Sequence, residues 1–284
     1  MKLIAIDLDG TLLTNEGKIS ENNRKAIHKA QNQGDIVTIA SGRSLHDTIQ
    51  ILAEAKLECP IIAGNGAIIY ESGTILQNHF LPANIVKEMI EKIEAIGLYY
   101  ELYTNKGVFT SDNGKALLTT EAQRLHDQYD DFPREKATHM IDMQFTQKGL
   151  VYVKSYHDLD YAALEVYKVF VLSFDQKRLS ELDSLLKERS DISLTTSANE
   201  KLEIGHPLTS KGNALEFFAK HLEVPLENIV AIGDNLNDLS MFDIAGFRIA
   251  MGNAEDVVKE KADFVTKAYD EDGVAYGLQQ LYVK

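Results

Sequence analysis

Cysteine is nearly absent from this chain. One thiol, Cys59, in 284 residues excludes an intramolecular disulfide framework and any zinc site built from several cysteines, and it fits a reducing cytosol. Set between Leu57 and Pro60-Ile61-Ile62, it reads as a buried, inert thiol rather than a nucleophile. Long apolar runs are missing too: none reaches the roughly 20 residues needed to span a bilayer. The chain enters a strand pattern at once, without the basic stretch and apolar segment of a secretory signal. A cytoplasmic protein with no membrane partner is expected. Positive charge is also scarce. Lysine and arginine number 29 against 43 aspartates and glutamates, for a net charge of −14, and no basic patch is left to bind nucleic acid. There is no internal repeat and no low-complexity tract.

What is present is ordinary globular material, 44% hydrophobic and 25% charged, in a length that implies about two domains. Leu3 to Ile6 is a continuous apolar run, as in a strand buried on both faces. It stops on Asp7-Leu8-Asp9-Gly10-Thr11, where Gly10 allows a sharp turn. Asp7 therefore belongs at the carboxyl end of the strand, the edge where open α/β sheets bind ligands. Two carboxylates 4 Å apart there repel by about 4 kcal/mol at an effective dielectric near 20. A hard cation such as Mg²⁺ would relieve this, whereas the plainer reading is an aspartate that caps a turn.

Strand and helix signals then alternate. A helix is predicted from Ser20 to about Gln33, stopped by Gly34, followed by a strand from Asp35 to Ala40 that ends in Ser41-Gly42-Arg43. A second helix runs from Ser44 to about Lys56, and a third strand, Pro60 to Ala63, leads into Gly64-Asn65-Gly66. The same rhythm returns late, with a helix from Lys211 to Leu222, a strand from Asn228 to Gly233 and a helix from Asn237 to Ala245. Short strands at Phe247–Ala250 and Asp263–Thr266 and a closing helix from Asp272 to Leu281 complete it. This predicts an α/β, doubly wound, parallel-sheet (Rossmann-like) core. Between Leu81-Pro82 and Gly205-His206-Pro207, which read as hinges, lies a different region. It holds an amphipathic segment from Asn84 closed by Gly97, an aromatic run from Leu98 to Tyr103, and a polar stretch between Asp112 and His139. Strands at Val166–Phe174 and Ile192–Thr196 there flank a helix from Lys177 to Arg189. The expectation is a core of residues 1–82 and 205–284 with an inserted α+β domain of 83–204.

Three further signals join the aspartate pair. Ser41 ends the second strand, so its hydroxyl and the Gly42 amide share the Asp7 edge; that pair suits a phosphate oxygen, although Ser-Gly is also common turn chemistry. Lys211 falls in the first turn of its helix, where the macrodipole disfavours a cation by about 0.3–1 kcal/mol. A solvated face would tolerate it; a site that must balance phosphate and carboxylates explains it better. Asp234 ends an apolar strand within Gly233-Asp234-Asn235-Leu236-Asn237-Asp238 and repeats the placement of Asp7. Asp238, four residues on, is adequately explained as a helix-start acid.

Jointly these motifs resemble the haloacid dehalogenase-like phosphatase superfamily, in particular its Cof-type members with a large α/β cap. Asp7-Leu8-Asp9-Gly10-Thr11, Ser41 within Ala40-Ser41-Gly42-Arg43, Lys211-Gly212 and Gly233 to Asp238 occur in the family's order. The resemblance implies Asp7 as a nucleophile that becomes an aspartyl-phosphate and Asp9 as general acid/base. Leu8 (through its backbone), Ser41, Gly42, Lys211 and Asn237 would hold the phosphoryl group. Asp7, Asp9 (through its main-chain carbonyl) and Asp234 would ligate Mg²⁺, with Asp238 helping from behind. The implied enzyme is a Mg²⁺-dependent phosphomonoester hydrolase for a small phosphorylated metabolite, a sugar phosphate or a phosphorylated vitamin precursor. The insertion falls after the second motif, where it would act as a cap that sets substrate choice. A phosphomutase or phosphotransferase would use the same motifs, and a non-catalytic phospho-aspartate switch also carries acids, a hydroxyl and a lysine. The tyrosines at 99, 100 and 103 could stack on a ring but at strand spacing read as packing, and Asn65-Gly66, at the end of the third strand, could face the substrate but reads as a glycine turn. The sequence names neither the substrate nor an oligomeric state.

Overall fold

The computed structural model describes residues 1–282, and of Ala162 only the backbone; the last two residues of the expected 205–284 segment lie outside it. The chain forms two compact units, one of Met1–Asn78 with the segment from Leu208 onward, the other of His79–Pro207.

In chain order the first unit begins with β1 (Leu3–Ile6), α1 (Glu21–Asn32), β2 (Ile36–Ala40), α2 (Leu45–Glu54), β3 (Ile61–Ala63), β4 (Ile68–Glu71) and β5 (Thr74–Asn78). The second unit follows with α3 (Ala83–Ile96), β6 (Tyr99–Thr104), β7 (Gly107–Ser111), α4 (Gly114–Gln128), α5 (Arg134–Thr146) and β8 (Leu150–Val153). It continues with α6 (Tyr161–Leu164), β9 (Lys168–Leu172), α7 (Gln176–Leu186), β10 (Ser193–Thr195) and β11 (Lys201–Gly205). The chain then returns to the first unit as α8 (Lys211–His221), β12 (Ile229–Gly233), α9 (Leu239–Phe242), β13 (Phe247–Ala250), α10 (Asp256–Lys261), β14 (Phe264–Val265) and α11 (Gly273–Gln280).

The first unit is a doubly wound α/β core whose eight strands run in the order β14-β13-β12-β1-β2-β3-β4-β5. From β14 to β3 every pairing is parallel. All four side chains of β1 are fully buried, which explains why its sequence is apolar without alternation. Ile6 lies in register with Ile232 of β12 on one side and Ile39 of β2 on the other. After β1 the sheet grows outward through β2 and β3; after the insertion it grows the other way, through β12 to β14. The strand order thus reverses at β1, and the carboxyl ends at such a reversal are where open α/β sheets bind ligands. Two differences from the sequence reading stand out. The sheet ends in an antiparallel hairpin, β4–β5, because Ser72-Gly73 supplies two residues with positive φ for a tight turn. The helix expected over Asn237 to Ala245 is split: a short 3-10 turn, Leu236–Asp238, precedes α9.

The second unit has its own sheet, β10-β11-β9-β6-β7-β8, antiparallel except for β7 beside β8. One face packs Tyr100, Leu102, Val169, Val171, Leu202 and Ile204 against Val86, Met89, Ile90 and Ile93 of α3 and Leu179, Leu182 and Leu186 of α7. Alternate residues of β6 point the other way, so Tyr99 and Tyr103 are buried beside Glu101, and Tyr100 stacks on Tyr156 at 4.3 Å. The tyrosine run is packing within this unit. The polar stretch between Asp112 and His139 is largely helical, forming α4 and the start of α5.

Candidate active site

Local chemistry places each element of the site. Asp7 is the first residue past β1, and its N–H donates to Ile232 O at 3.0 Å, so the β1–β12 ladder runs right up to it. Gly10, at φ +81°, then folds the chain back. A Cβ there would collide with the Asp234 carboxylate, so only glycine lets the two segments come this close. Ser210 caps α8 by accepting from Asn213 N–H at 3.0 Å, which sets Lys211 as the first residue of that helix. At the end of β12, Asp238 Oδ2 accepts from the backbone N–H groups of Asp234 and Asn235 at 2.9 and 3.0 Å. This capping arrangement fixes the turn that presents Asp234.

The strand-end acids and the lysine meet. Lys211, 1% exposed, donates to Asp7 Oδ1 at 2.5 Å and to Asp238 Oδ1 at 2.6 Å. Thr11 Oγ1 donates to Asp234 Oδ1 at 2.8 Å. Asp7, Asp234 and Asp238 each offer a carboxylate oxygen within 4.8 Å of the others. Three acids against one ammonium leave this buried cluster short of positive charge, and the acidities show it. Burial lifts the Asp7 carboxyl well above the ordinary range; Lys211 pulls against this, and Asp238 and Asp234 add to the rise. Asp234 is pushed up to about 7, by burial first and then by the Asp238 charge, with the Thr11 hydroxyl opposing. For Lys211, burial works against the charge, but Asp238 and Asp7 outweigh it and raise its pKa.

The remaining predicted residues border this cluster differently. Ser41 is buried; its hydroxyl accepts from Arg43 N–H at 3.1 Å, which leaves its own proton to donate elsewhere. Gly42 lies in the same β2–α2 turn, and Leu8 is fully buried behind Asp7. Asn237 donates from Nδ2 to Asn65 Oδ1 at 3.1 Å. The Asp9 carboxylate is outside the acid cluster: Arg43 Nε and Nη2 hold its two oxygens at 2.8 and 2.7 Å.

Two residues escape the sequence reading, and a third is undervalued by it. Thr11 and Arg43 stood inside quoted motifs without a role. Asn65 reads from sequence as a glycine turn with the substrate as the alternative; it is buried, sits at φ +59° and reaches Asn237. The available signal was a non-glycine residue between two glycines, since asparagine is the side chain that best tolerates that backbone.

A strand-end aspartate, a lysine that bridges two acids, and a second strand-end aspartate thus meet where the strand order reverses, the edge at which open α/β sheets bind ligands. The profile of haloacid dehalogenase-like hydrolases matches residues 4–278. The chain belongs to that family. It is 34% identical over 284 residues to the phosphatase YwpJ of Bacillus subtilis, covering 99% of this chain and 100% of the relative. It is 38% identical over 287 residues to the B. subtilis 5-amino-6-(5-phospho-D-ribitylamino)uracil phosphatase YwtE, covering 99% and 98%. The solved structure of a haloacid dehalogenase-like hydrolase from B. subtilis superposes with a TM-score of 0.86 at 33% identity, over 99% of this chain and 100% of that one. The chain is accordingly an enzyme of the hydrolase class. Among the described residues, no helix is long and apolar enough to cross a membrane.

Proposed function

We propose that this hydrolase is a Mg²⁺-dependent phosphomonoester phosphatase, acting on a small phosphorylated metabolite through an aspartyl-phosphate on Asp7. The observation that carries this reading is the Lys211 ammonium shared between Asp7 and Asp238, in a buried cluster that still lacks compensating charge. Asp7 supplies the nucleophilic oxygen. Its attack forms a P–O bond and breaks the bond to the leaving alcohol, which takes its proton from Asp9. Water then attacks the same phosphorus, Asp9 accepts its proton, and the Asp7–phosphorus bond breaks to restore the carboxylate. Lys211, Ser41, the Gly42 and Leu8 amides and Asn237 steady the phosphoryl oxygens as charge develops.

The donor set fits a hard divalent ion. Asp7 and Asp234 present oxygen ligands close together, a Cβ on Gly10 would intrude on the Asp234 carboxylate, and the raised pKa values of both acids mark a place where a cation is favoured. The Asp9 main-chain carbonyl would be a further ligand. Asp238 is committed to Lys211 and two amides, so it steadies the site from behind. When bound, Mg²⁺ would offset the repulsion between the carboxylate nucleophile and the phosphate.

The His79–Pro207 unit is assigned the choice of leaving group, on the support of its separate core and its insertion after the second motif. Substrates of the size named for the B. subtilis relative YwtE, a phosphorylated ribityl compound, fall within this reading, as do sugar phosphates. A screen for inorganic phosphate release from a panel of phosphorylated metabolites, run with the wild type and Asp7→Asn, tests it. Release that depends on Asp7 supports hydrolysis. Transfer to an added sugar without release would establish a transferase, a lasting phospho-Asp7 would establish a switch, and turnover by Asp7→Asn would overturn the mechanism.

A further inference from the structure

We propose that Arg43 is a positioning residue for Asp9, one that orients its carboxylate for the water-attack half of the reaction. This rests on Asp9 being the proton carrier. The Arg43 backbone is pinned on both sides: its N–H donates to Ser41 Oγ at 3.1 Å, and its carbonyl accepts from Gly64 N–H at 2.9 Å. Its guanidinium grips both oxygens of Asp9, at 2.8 and 2.7 Å, and its third nitrogen donates to Asp47 Oδ2 at 2.7 Å. Asp47, only 3% exposed, lies in the first turn of α2, where a carboxylate is favoured by the helix dipole. Arg43 is therefore anchored from behind and cannot simply follow Asp9.

Asp9 needs such a hold. It sits in a non-helical turn with its side chain 57% exposed, and a short exposed carboxylate otherwise samples several rotamers. A planar fork sets both the position and the plane of the carboxylate, which a lysine cannot do. The fork engages both carboxylate oxygens, Nε on Oδ2 and Nη2 on Oδ1, so the group cannot rotate without breaking two charged hydrogen bonds. A base held in one orientation serves the step in which water attacks phospho-Asp7: the water oxygen bonds to phosphorus, the electron pair of the broken P–O bond returns to Asp7, and the proton passes to Asp9.

Pre-steady-state kinetics with para-nitrophenyl phosphate separates the two halves, because that leaving group departs without a proton. In Arg43→Gln the first half persists, giving a burst of nitrophenol near one per enzyme and an accumulated phosphoenzyme. Steady turnover falls by about 10- to 100-fold, within the range that positioned general bases contribute. Asp9→Asn shows the same profile, and adding Arg43→Gln to it slows turnover no further. Arg43→Lys keeps the charge without the fork and stays slow. Should Arg43→Gln fail to fold, Asp47→Asn keeps the fork but loosens its anchor and gives a smaller loss with the same burst. A loss in Arg43→Gln without a burst, or with the burst slowed as much as the steady rate, overturns the proposal while Asp7-dependent turnover stands. Turnover in Asp7→Asn would instead remove the reading on which it rests.

Discussion

Lys211 shows how much one side chain can carry. It is an ammonium almost closed to solvent, and both of its partners are carboxylates from distant segments. Removing one member of a buried ion pair costs about 3–5 kcal/mol, because the other charge is left uncompensated. Lys211→Met should therefore lower stability by that order in urea unfolding, beyond its effect on activity. Asp7→Asn should behave in the opposite way. On the proposed mechanism it should abolish turnover, yet it removes one negative charge from a cluster that has too many and leaves Lys211 paired with Asp238. The metal-free variant should melt higher than the wild type by calorimetry; a lower melting temperature would contradict the electrostatic account. Arg43 and Asn65 make a further point at this scale. Neither stood out by residue type, since arginine in a polar turn and asparagine between glycines are ordinary. Their partners, Asp9 and Asn237, lie too far along the chain for spacing to reveal them.

Among the elements, the loop after β1 is the most tightly specified. It must reverse at Gly10, bury Leu8 and Thr11, and bring the chain against Asp234. Gly10→Ala meets two penalties, a left-handed φ and a contact with the Asp234 carboxylate, and should cost about 1–3 kcal/mol. Its signature is a weaker stabilisation by added Mg²⁺, measured in the same melts. The Gly64–Gly66 turn allows backbone and side-chain effects to be separated. Asn65→Gly keeps the backbone and loses the bond to Asn237, so it should affect phosphate affinity more than stability. Asn65→Val forces a β-branched residue into the left-handed region and should also destabilise by about 1–2 kcal/mol. Equal melting temperatures for the two variants would argue against a strained turn. The split of the helix after β12 has a related cause: the Asp238 side chain is drawn back to the amides of Asp234 and Asn235. Helical periodicity was legible there, but the cap that delays the helix was not.

For the molecule as a whole, stability should depend on pH and metal together. Asp7, Asp234 and, in the second unit, Glu101 all have carboxyl groups raised by burial. A carboxyl whose folded pKa lies above its unfolded value binds more protons in the native state across the interval between them. Stability then falls as pH rises through that interval. With Asp234 at about 7, the metal-free protein should lose stability between pH ~4 and ~7. Carboxylates lowered by ion pairing, such as Asp263 beside Arg248, act in the opposite sense and only at more acid pH. Mg²⁺ should reverse the loss by binding the native state alone, adding about 2.7 kcal/mol at a hundredfold excess over its dissociation constant. Melts at pH 5 and 7.5 with and without chelator check this; a protein more stable at pH 7.5 without metal would contradict it. The separate core of the His79–Pro207 unit further predicts that this segment, expressed alone, unfolds cooperatively in urea.

The sequence by itself determined which acids, hydroxyl and lysine stand at strand ends and helix starts. A buried parallel strand is a continuous apolar run, and the residue that ends it is the residue at the ligand edge, so Asp7, Ser41 and Asp234 were legible from local pattern. The inserted unit was legible for the same kind of reason, since its amphipathic and aromatic periods differ from the flanking rhythm. Tertiary structure alone decided which of these groups touch. The pairing of β1 with both β12 and β2 brings Lys211 to Asp7 across 204 positions, and the β2–α2 turn brings Arg43 to Asp9 across 34. Contacts of that range depend on strand register and side-chain direction, which local pattern does not encode. The sequence thus names the acids and the lysine, and the fold turns three acids and the lysine into one charge-deficient cluster, with Asp9 held beside it on the Arg43 fork.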